Sequence, residues 1–219
     1  MALNINGTTG ISGVDGSVAA PAVTGTDSNT GITFPAADTI KFSTGGVERM
    51  SITNSGVSGI TAGITMADQW RRTATVSLSN GQNFLTSDWE RVDGGGQGAC
   101  IPSGGMTESS GIFTFPMTGV YKVEWQGYFE ETGFDDVNSF SIYITTDNSS
   151  YTTRATSVVS IGDIGTYSYG AAHCQTLVDV TDTSQVKVKF RVYSSATVIL
   201  DVSSTENRNC ATFTRIGDT

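Results

Sequence analysis

The stretch Gln185-Val-Lys-Val-Lys-Phe-Arg-Val-Tyr193 decides the class of fold, because it alternates strictly between apolar and charged residues. Its three valines and Phe190 share one side of an extended chain, and its lysines and Arg191 share the other. Successive side chains of a β-strand point to opposite faces of the sheet, so this period predicts a strand. One face of that strand is buried and the other is in contact with solvent.

The same period recurs at residues 120–129, 139–145, 197–202 and 211–216. Gly, Asn or Asp separates these segments, and those residues are typical of turns. Short strands at such regular spacing favour a two-sheet antiparallel sandwich over βαβ units. The fold class is therefore predicted to be all-β. The core of the sandwich is predicted to contain Phe113, Phe115, Tyr121, Trp125, Phe140, Phe190 and Phe213.

Residues 1–70 differ in composition from residues 71–219, with 11 glycines and only three aromatic residues. Short apolar pairs separated by turn residues predict very short strands, which cannot bury a face by themselves. We therefore predict an extended stem or attachment region at 1–70, formed by several intertwined chains, and a head domain at 71–219. A flexible tail at 1–70 is the alternative.

Within the stem, residues 39–52 predict a β-hairpin, because the Gly45-Gly46 pair readily adopts the positive φ of a tight turn. The hairpin residues are Phe42, Gly45, Gly46, Met50 and Ile52. The pattern F-S-T-G-G-x-E-R-M-x-I-x-x-x-G at 42–56 resembles short repeats of phage tail-fibre and related virion proteins. In those repeats, hairpins from three chains wrap around a common axis. The resemblance implies a trimeric shaft or connector.

The head carries a second motif, Gly111-Ile-Phe-Thr-Phe-Pro-Met-Thr-Gly-Val-Tyr121. It resembles the G-x-F-x-x-P-x-x-G-x-Y signature of the jelly rolls related to C1q and tumour necrosis factor (TNF). Two features depart from that family: residues 182–184 replace its usual Gly-Asp turn, and residues 215–219 lack its common final Phe-Gly. The resemblance implies an antiparallel jelly-roll sandwich that forms a homotrimer through aromatic and aliphatic residues near a threefold axis.

The charge balance argues against several partners. The net charge is −9, and no run of lysine or arginine offsets it. We therefore expect no binding to nucleic acid, and no apolar run is long enough to predict membrane insertion. The first residues lack the basic and apolar regions of a signal peptide, which favours synthesis in a host cytoplasm and release by lysis. Cys100, Cys174 and Cys210 are predicted to be buried thiols.

Few residues offer catalytic chemistry. His173 is the only histidine, and Cys174 beside it would point to the opposite face of a strand, so we expect neither a catalytic dyad nor a triad. We predict that the protein is not an enzyme and needs no cofactor.

A cluster of acidic residues gives the one candidate metal site. Glu130 and Glu131 are predicted to lie solvated in a loop. Asp135, Asp136 and Asn138 follow closely, and their oxygen atoms make a calcium ion the candidate ligand there. No calcium-loop motif supports that candidate.

The functional prediction concerns attachment. The loops at 94–104, 130–138 and 162–170 are candidates for a receptor site, with Phe134, Tyr167 and Tyr169 as contact residues. The tyrosines could either stack on sugar rings or pack between chains. We predict a trimeric virion fibre whose N-terminus binds a capsid or tail protein and whose head binds a host-surface glycan or protein. The alternative is a capsid or tail decoration protein (a head fibre) with a purely structural role.

Overall fold

A computed structural model describes residues 4–6, 10–12, 15–59, 64–92, 96–98, 104–131, 135–162, 168–203 and 205–219. The chain forms two compact units, Met1–Ala62 and Gly63–Thr219. In the described ranges every regular element is a β-strand, as the alternating sequence predicts. A helix long and apolar enough to cross a membrane is absent from those ranges.

The described residues of the N-terminal unit form nine short strands. They are β1 (Asn4–Asn6), β2 (Gly10–Ser12), β3 (Gly16–Ser17), β4 (Ala20–Pro21), β5 (Val23–Thr24), β6 (Gly31–Ala36), β7 (Thr39–Thr44), β8 (Val47–Thr53) and β9 (Gly56–Ser58). Strands β1 and β2 pair, β3 and β4 pair, and β5 to β9 form an antiparallel sheet in sequence order. Each strand of that sheet therefore lies beside its neighbour in the chain.

The hairpin at 39–52 is formed by β7 and β8. Gly45 and Gly46 make its turn with φ values of 59° and 74°, in the left-handed region that other residues adopt at a cost. Phe42 lies opposite Met50, so the two side chains share a face of the sheet.

The head unit contains the remaining strands. They are β10 (Met66–Arg72), β11 (Val76–Leu78), β12 (Gly81–Phe84), β13 (Trp89–Arg91), β14 (Thr107–Ser109), β15 (Ile112–Thr114), β16 (Gly119–Glu131), β17 (Asp135–Thr145), β18 (Thr152–Ile161), β19 (Ser168–Val180), β20 (Lys187–Ser194), β21 (Val198–Leu200) and β22 (Cys210–Gly217). One sheet has the order β11-β21-β16-β22-β10-β13, with β19 also paired to β16. The other has the order β14-β15-β20-β17-β18, with β12 also paired to β20. The two sheets enclose the core.

The head begins before residue 71, the residue at which the sequence analysis predicted that the head would start. Strand β10 spans that boundary and pairs with β22 on one side and β13 on the other. The sequence pattern does not predict strand β10, because the inward positions of this strand include Asp68 and Arg72, both of which are buried. Buried charges interrupt the apolar alternation by which a strand is recognised.

The core of the head is aromatic. All seven aromatic residues assigned to it from the sequence are buried, each with at most 2% of its surface exposed. Trp125 meets Phe140 edge-to-face at 4.9 Å between ring centroids, and the ring of Phe190 lies 5.1 Å from that of Trp125. Such offset and edge contacts are favourable beyond the burial of apolar area. The core therefore holds both sheets to one another.

Two glycines of the 111–121 motif have conformational roles. Gly111 has a φ of 77°, and a Cβ there would overlap the carbonyl of Leu85. Gly119 has a φ of 141° at the start of β16. Both positions therefore need glycine for the close approach and the backbone conformation of this corner.

Candidate interaction surfaces

The five-stranded sheet of the N-terminal unit has one apolar face. Cross-strand neighbours lie on the same side of a sheet, and two rows of apolar neighbours run across this one. The rows are Val23-Ile32-Phe42-Met50 and Ile40-Ile52-Val57. We call these seven residues the apolar stem face.

The apolar stem face is not covered within the chain's own N-terminal unit. Val23 is 50% exposed, Val57 is 59% exposed and Ile52 is 37% exposed, and the other four residues are half-buried. Across residues 15–59 no apolar side chain is buried. Ile40 and Ile52 also line a depression of about 430 Å³.

The opposite face of the same sheet is polar. Thr33, Lys41 and Ser51 lie in one row, and Thr33 and Ser51 are buried there. The hydroxyls of Ser51 and Ser58 are 2.7 Å apart, and Lys41 pairs with Glu48 at 2.6 Å. The polar side is thus the enclosed side of this unit and the apolar side faces outward, the reverse of the arrangement in a self-sufficient domain.

A second exposed surface lies on the head, on the solvent side of β19, β16, β22 and β10, and we call it the outer head face. His173 lies on it with Nε2 3.5 Å from Oε1 of Glu124, which also pairs with Lys122 at 2.8 Å. Cys174 points into the core, and burial raises the pKa of its thiol to about 12. His173 and Cys174 therefore lie on opposite faces, as the alternation of a strand predicts.

One end of the outer head face forms a shallow depression of about 690 Å³. Its lining residues are Gln126, Gly127, Tyr128, Ala171, Ala172, His173, Glu206, Asn207 and Arg208. Tyr128 stacks on Tyr169 with ring centroids 5.8 Å apart, and the Arg208 guanidinium lies 5.4 Å from the Tyr128 ring. Aromatic and hydrogen-bonding groups therefore meet at this end of the sheet.

Comparison with known proteins bears on the fold of the head. No family model matches the chain, and no curated protein matches its sequence. Eiger TNF from S. frugiperda is similar in structure, with a TM-score of 0.50, 15% sequence identity, and coverage of 70% of this chain and 94% of that one. The head has a TNF-like jelly-roll fold. Murine APRIL at pH 5.0 gives a TM-score of 0.48 at 12% identity, covering 69% of this chain and 98% of that one.

The likeness to Eiger TNF confirms the predicted all-β, TNF-like jelly-roll class and concerns the fold alone, because the sequence identity is only 15%. The motif at 111–121 is therefore a sound indicator of the jelly roll in this chain. It says nothing by itself of what the jelly-roll head binds.

The segment 130–138 differs from its prediction as one solvated acidic loop. Strand β16 continues to Glu131 and β17 begins at Asp135, so most of the segment is sheet. Glu131 is buried, and the side chain of Asn138 is buried with no hydrogen-bond partner in the described ranges. Strand pairing with β19 and β20 carries these two polar residues inward, which composition alone does not show.

The described residues give no geometric support for the candidate calcium site. The side chains of Asp135 and Asp136 lie outside the described residues, and Asn138 is enclosed in β17. Over the described part of the chain, no three His, Cys, Asp or Glu side chains come together as metal ligands would.

Of the three residues predicted to contact a receptor, the structure describes only Tyr169. Tyr169 is more than half exposed, but it lies within strand β19 rather than on a loop. Phe134 and Tyr167 lie outside the described residues.

The cysteines are a separate case. Cys174 and Cys210 are buried free thiols, and Cys100 lies outside the described residues.

One surface was foreseen only in part: the sequence places the lysines and Arg191 of 185–193 on one outward side but does not show the aromatic residues beside them. On the solvent side of the second sheet, Lys187, Lys189 and Arg191 form a row along β20. Phe84 from β12 and Tyr143 from β17 flank this row. The alternation of 185–193 contains the signal for the row, but its aromatic neighbours come from distant segments. We call this surface the basic-aromatic face; it comprises Lys187, Lys189, Arg191, Phe84, Tyr143 and Tyr151.

Proposed function

We propose that the protein is a non-enzymatic subunit of a homotrimeric virion fibre. Its N-terminal unit forms the stem, which attaches to a capsid or tail protein, and its jelly-roll head binds a receptor on the host surface. The observation that carries the proposal is the uncovered apolar stem face.

The argument from the apolar stem face is energetic. Removing apolar surface from water contributes about 25 cal/mol per Å², so completing the burial of one of these side chains contributes roughly 1 kcal/mol. Val23, Ile52 and Val57 are each more than a third exposed, and the neighbours between them are incompletely buried. A contiguous exposed patch of this kind marks an interaction surface. Further copies of the same sheet are the natural cover, because each brings an identical apolar face.

Three copies suit both parts of the chain. The hairpin repeat at 42–56 resembles tail-fibre repeats that wind three chains round an axis, and the jelly-roll head resembles proteins that assemble on a threefold axis. A stem and a head that share one symmetry axis are compatible in a single closed oligomer. On the outer head face, Leu177, Tyr169 and Ile216 are each more than half exposed, so the head also offers apolar side chains to a second copy.

The chemistry of the outer head face supports binding rather than catalysis. His173, the one histidine of the chain, lies 3.5 Å from the Glu124 carboxylate. Cys210 lies on the same side of the sheet, but burial raises the pKa of its thiol to about 11, which disfavours the reactive thiolate. A depression lined with a tyrosine, an arginine and amide groups suits recognition of a polar ligand.

The mass of the intact protein in solution tests the proposal. We expect three times the chain mass of 23.0 kDa by light scattering at micromolar concentration. Ile52→Asp places a charge on the apolar stem face, and the trimer is then expected to dissociate at a higher protein concentration than the wild type does, while contacts between heads remain.

Thr53→Asp is the matched control. Thr53 points to the other side of β8 and accepts a hydrogen bond from the Ser55 amide, which an aspartate can also accept. The variant should keep the trimeric mass. A wild-type mass of one or two chains, or a dissociation concentration of Ile52→Asp equal to that of the wild type, would contradict the trimeric stem. Labelling of the head on intact virions would place it on the capsid or tail, and host adsorption that is independent of the head would favour the purely structural alternative.

A further inference from the structure

We propose that the basic-aromatic face of the head binds an acidic saccharide, a sugar chain that carries carboxylates. The inference names the ligand class for the receptor-binding role proposed above and rests on that role. It concerns the second sheet of the head, a different surface from the apolar stem face.

The charge of this face is not neutralised within the described chain. Of the nine other lysines and arginines, seven form ion pairs with described carboxylates, those at 41, 71, 72, 91, 122, 208 and 215. None of the described carboxylates pairs with Lys187, Lys189 or Arg191. In a chain of net charge −9, three adjacent unpaired cations indicate a site for an anion brought by a ligand.

The ammonium of Lys189 is held between two aromatic rings. Its Nζ lies 4.1 Å from the centroid of Phe84 and 4.0 Å from that of Tyr151. Partial burial lowers the pKa of Lys189, and no nearby carboxylate offsets that effect. A carboxylate supplied by a ligand would provide the missing charge partner.

Neutral groups hold Arg191 in place. Its guanidinium donates to the hydroxyl of Tyr143 at 2.6 Å, to Oγ of Ser141 at 2.9 Å and to Oε1 of Gln82 at 3.2 Å. Lys187 similarly donates to the Thr114 hydroxyl at 3.0 Å. These contacts order the cations without cancelling their charge, so little conformational entropy is lost when an anion binds.

The composition of the face favours a saccharide among anions. Phe84 is 37% exposed and can pack against the C–H face of a sugar ring, and the hydroxyl and amide groups beside it can bond sugar hydroxyls. Three cations along β20 span about 13 Å, at roughly 3.3 Å per residue. That low density of charge suits about one carboxylate per sugar, whereas the overall acidity of the chain disfavours a densely charged nucleic acid.

Binding of colominic acid, a polymer of a carboxylated sugar, to the intact protein tests the inference. We expect binding by calorimetry that is absent with neutral dextran of similar length. Lys189→Gln should weaken it about tenfold, because each 1.4 kcal/mol of lost interaction is tenfold in affinity. Phe84→Ala should also weaken it, although it leaves the charge unchanged.

Lys41→Gln is the matched control, since it removes the same charge from a lysine that is paired with Glu48 in the N-terminal unit. Unchanged affinity in Lys189→Gln, equal losses in Lys41→Gln, equal binding of dextran, or binding of a single-stranded DNA oligonucleotide as strong as that of colominic acid would each overturn the inference. The mass of every variant is measured in parallel. Absence of colominic acid binding by a wild-type protein of trimeric mass would count against this site alone, and a monomeric wild type would count against the proposed fibre.

Discussion

At the scale of single residues, the head contains a buried charge that the alternation of its strands does not predict. Asp68 is fully buried and accepts hydrogen bonds from the Met106 amide at 2.8 Å and from Nε1 of Trp70 at 3.1 Å. The Arg91 guanidinium also donates to it at 3.1 Å and lies 4.9 Å from the Trp70 ring. Asp68 therefore ties β10 to β13 and to the segment that leads into β14.

Replacing this carboxylate should destabilise the head strongly. In Asp68→Ala, Arg91 loses its ion-pair partner and the buried Met106 amide loses its acceptor, so we expect a cost of about 3–5 kcal/mol in the free energy of unfolding. Chemical denaturation followed by tryptophan fluorescence measures it. Glu206→Gln, which removes an exposed partner of Arg208, should cost less than about 1 kcal/mol. Equal stabilities of the two variants would show that Asp68 is dispensable.

At the scale of elements, the sequence predicts those strands whose two faces differ in polarity. Strands β16 and β20 alternate cleanly because one face of each packs on the aromatic core. Strand β10 and the end of β16 were not recognised, since Asp68, Arg72 and Glu131 occupy inward positions. The basic-aromatic face was foreseen only in part for another reason: its rings and cations come together only when β12, β17 and β20 pair.

The stem hairpin offers a test at this scale. A Cβ on Gly45 would meet no atom within 4 Å, so Gly45→Ala acts only through its φ of 59°, at a cost of roughly 1 kcal/mol. The same change at Gly25, where the space is also open and φ is not positive, should be neutral or slightly stabilising. Trypsin cleavage after Lys41 and Arg49, which lie within the hairpin, should be faster in Gly45→Ala than in Gly25→Ala. Equal cleavage rates would mean that the turn does not control the hairpin's stability.

At the scale of the whole molecule, the two units differ in how they can be stabilised. Every buried apolar residue of the described chain lies at or beyond Met66, within the head. The N-terminal unit buries Thr33, Ser43 and Ser51 instead and leaves its apolar stem face exposed. Sequence reasoning foresaw this contrast from composition, because short glycine-punctuated strands cannot enclose a core. The side of the sheet that faces outward could be assigned only once the strand register was known.

Separating the two units tests that contrast. Residues 63–219 are expected to unfold in one cooperative transition near that of the head in the intact chain, because the fragment keeps the whole aromatic core. Residues 1–62 at micromolar concentration should show no cooperative transition, since few apolar side chains are removed from water within one copy. Circular dichroism melts of both fragments provide the measurement. A monomeric 1–62 fragment with a sharp transition would mean that the N-terminal sheet stabilises itself without partners, and the apolar stem face would then no longer require further copies of the chain.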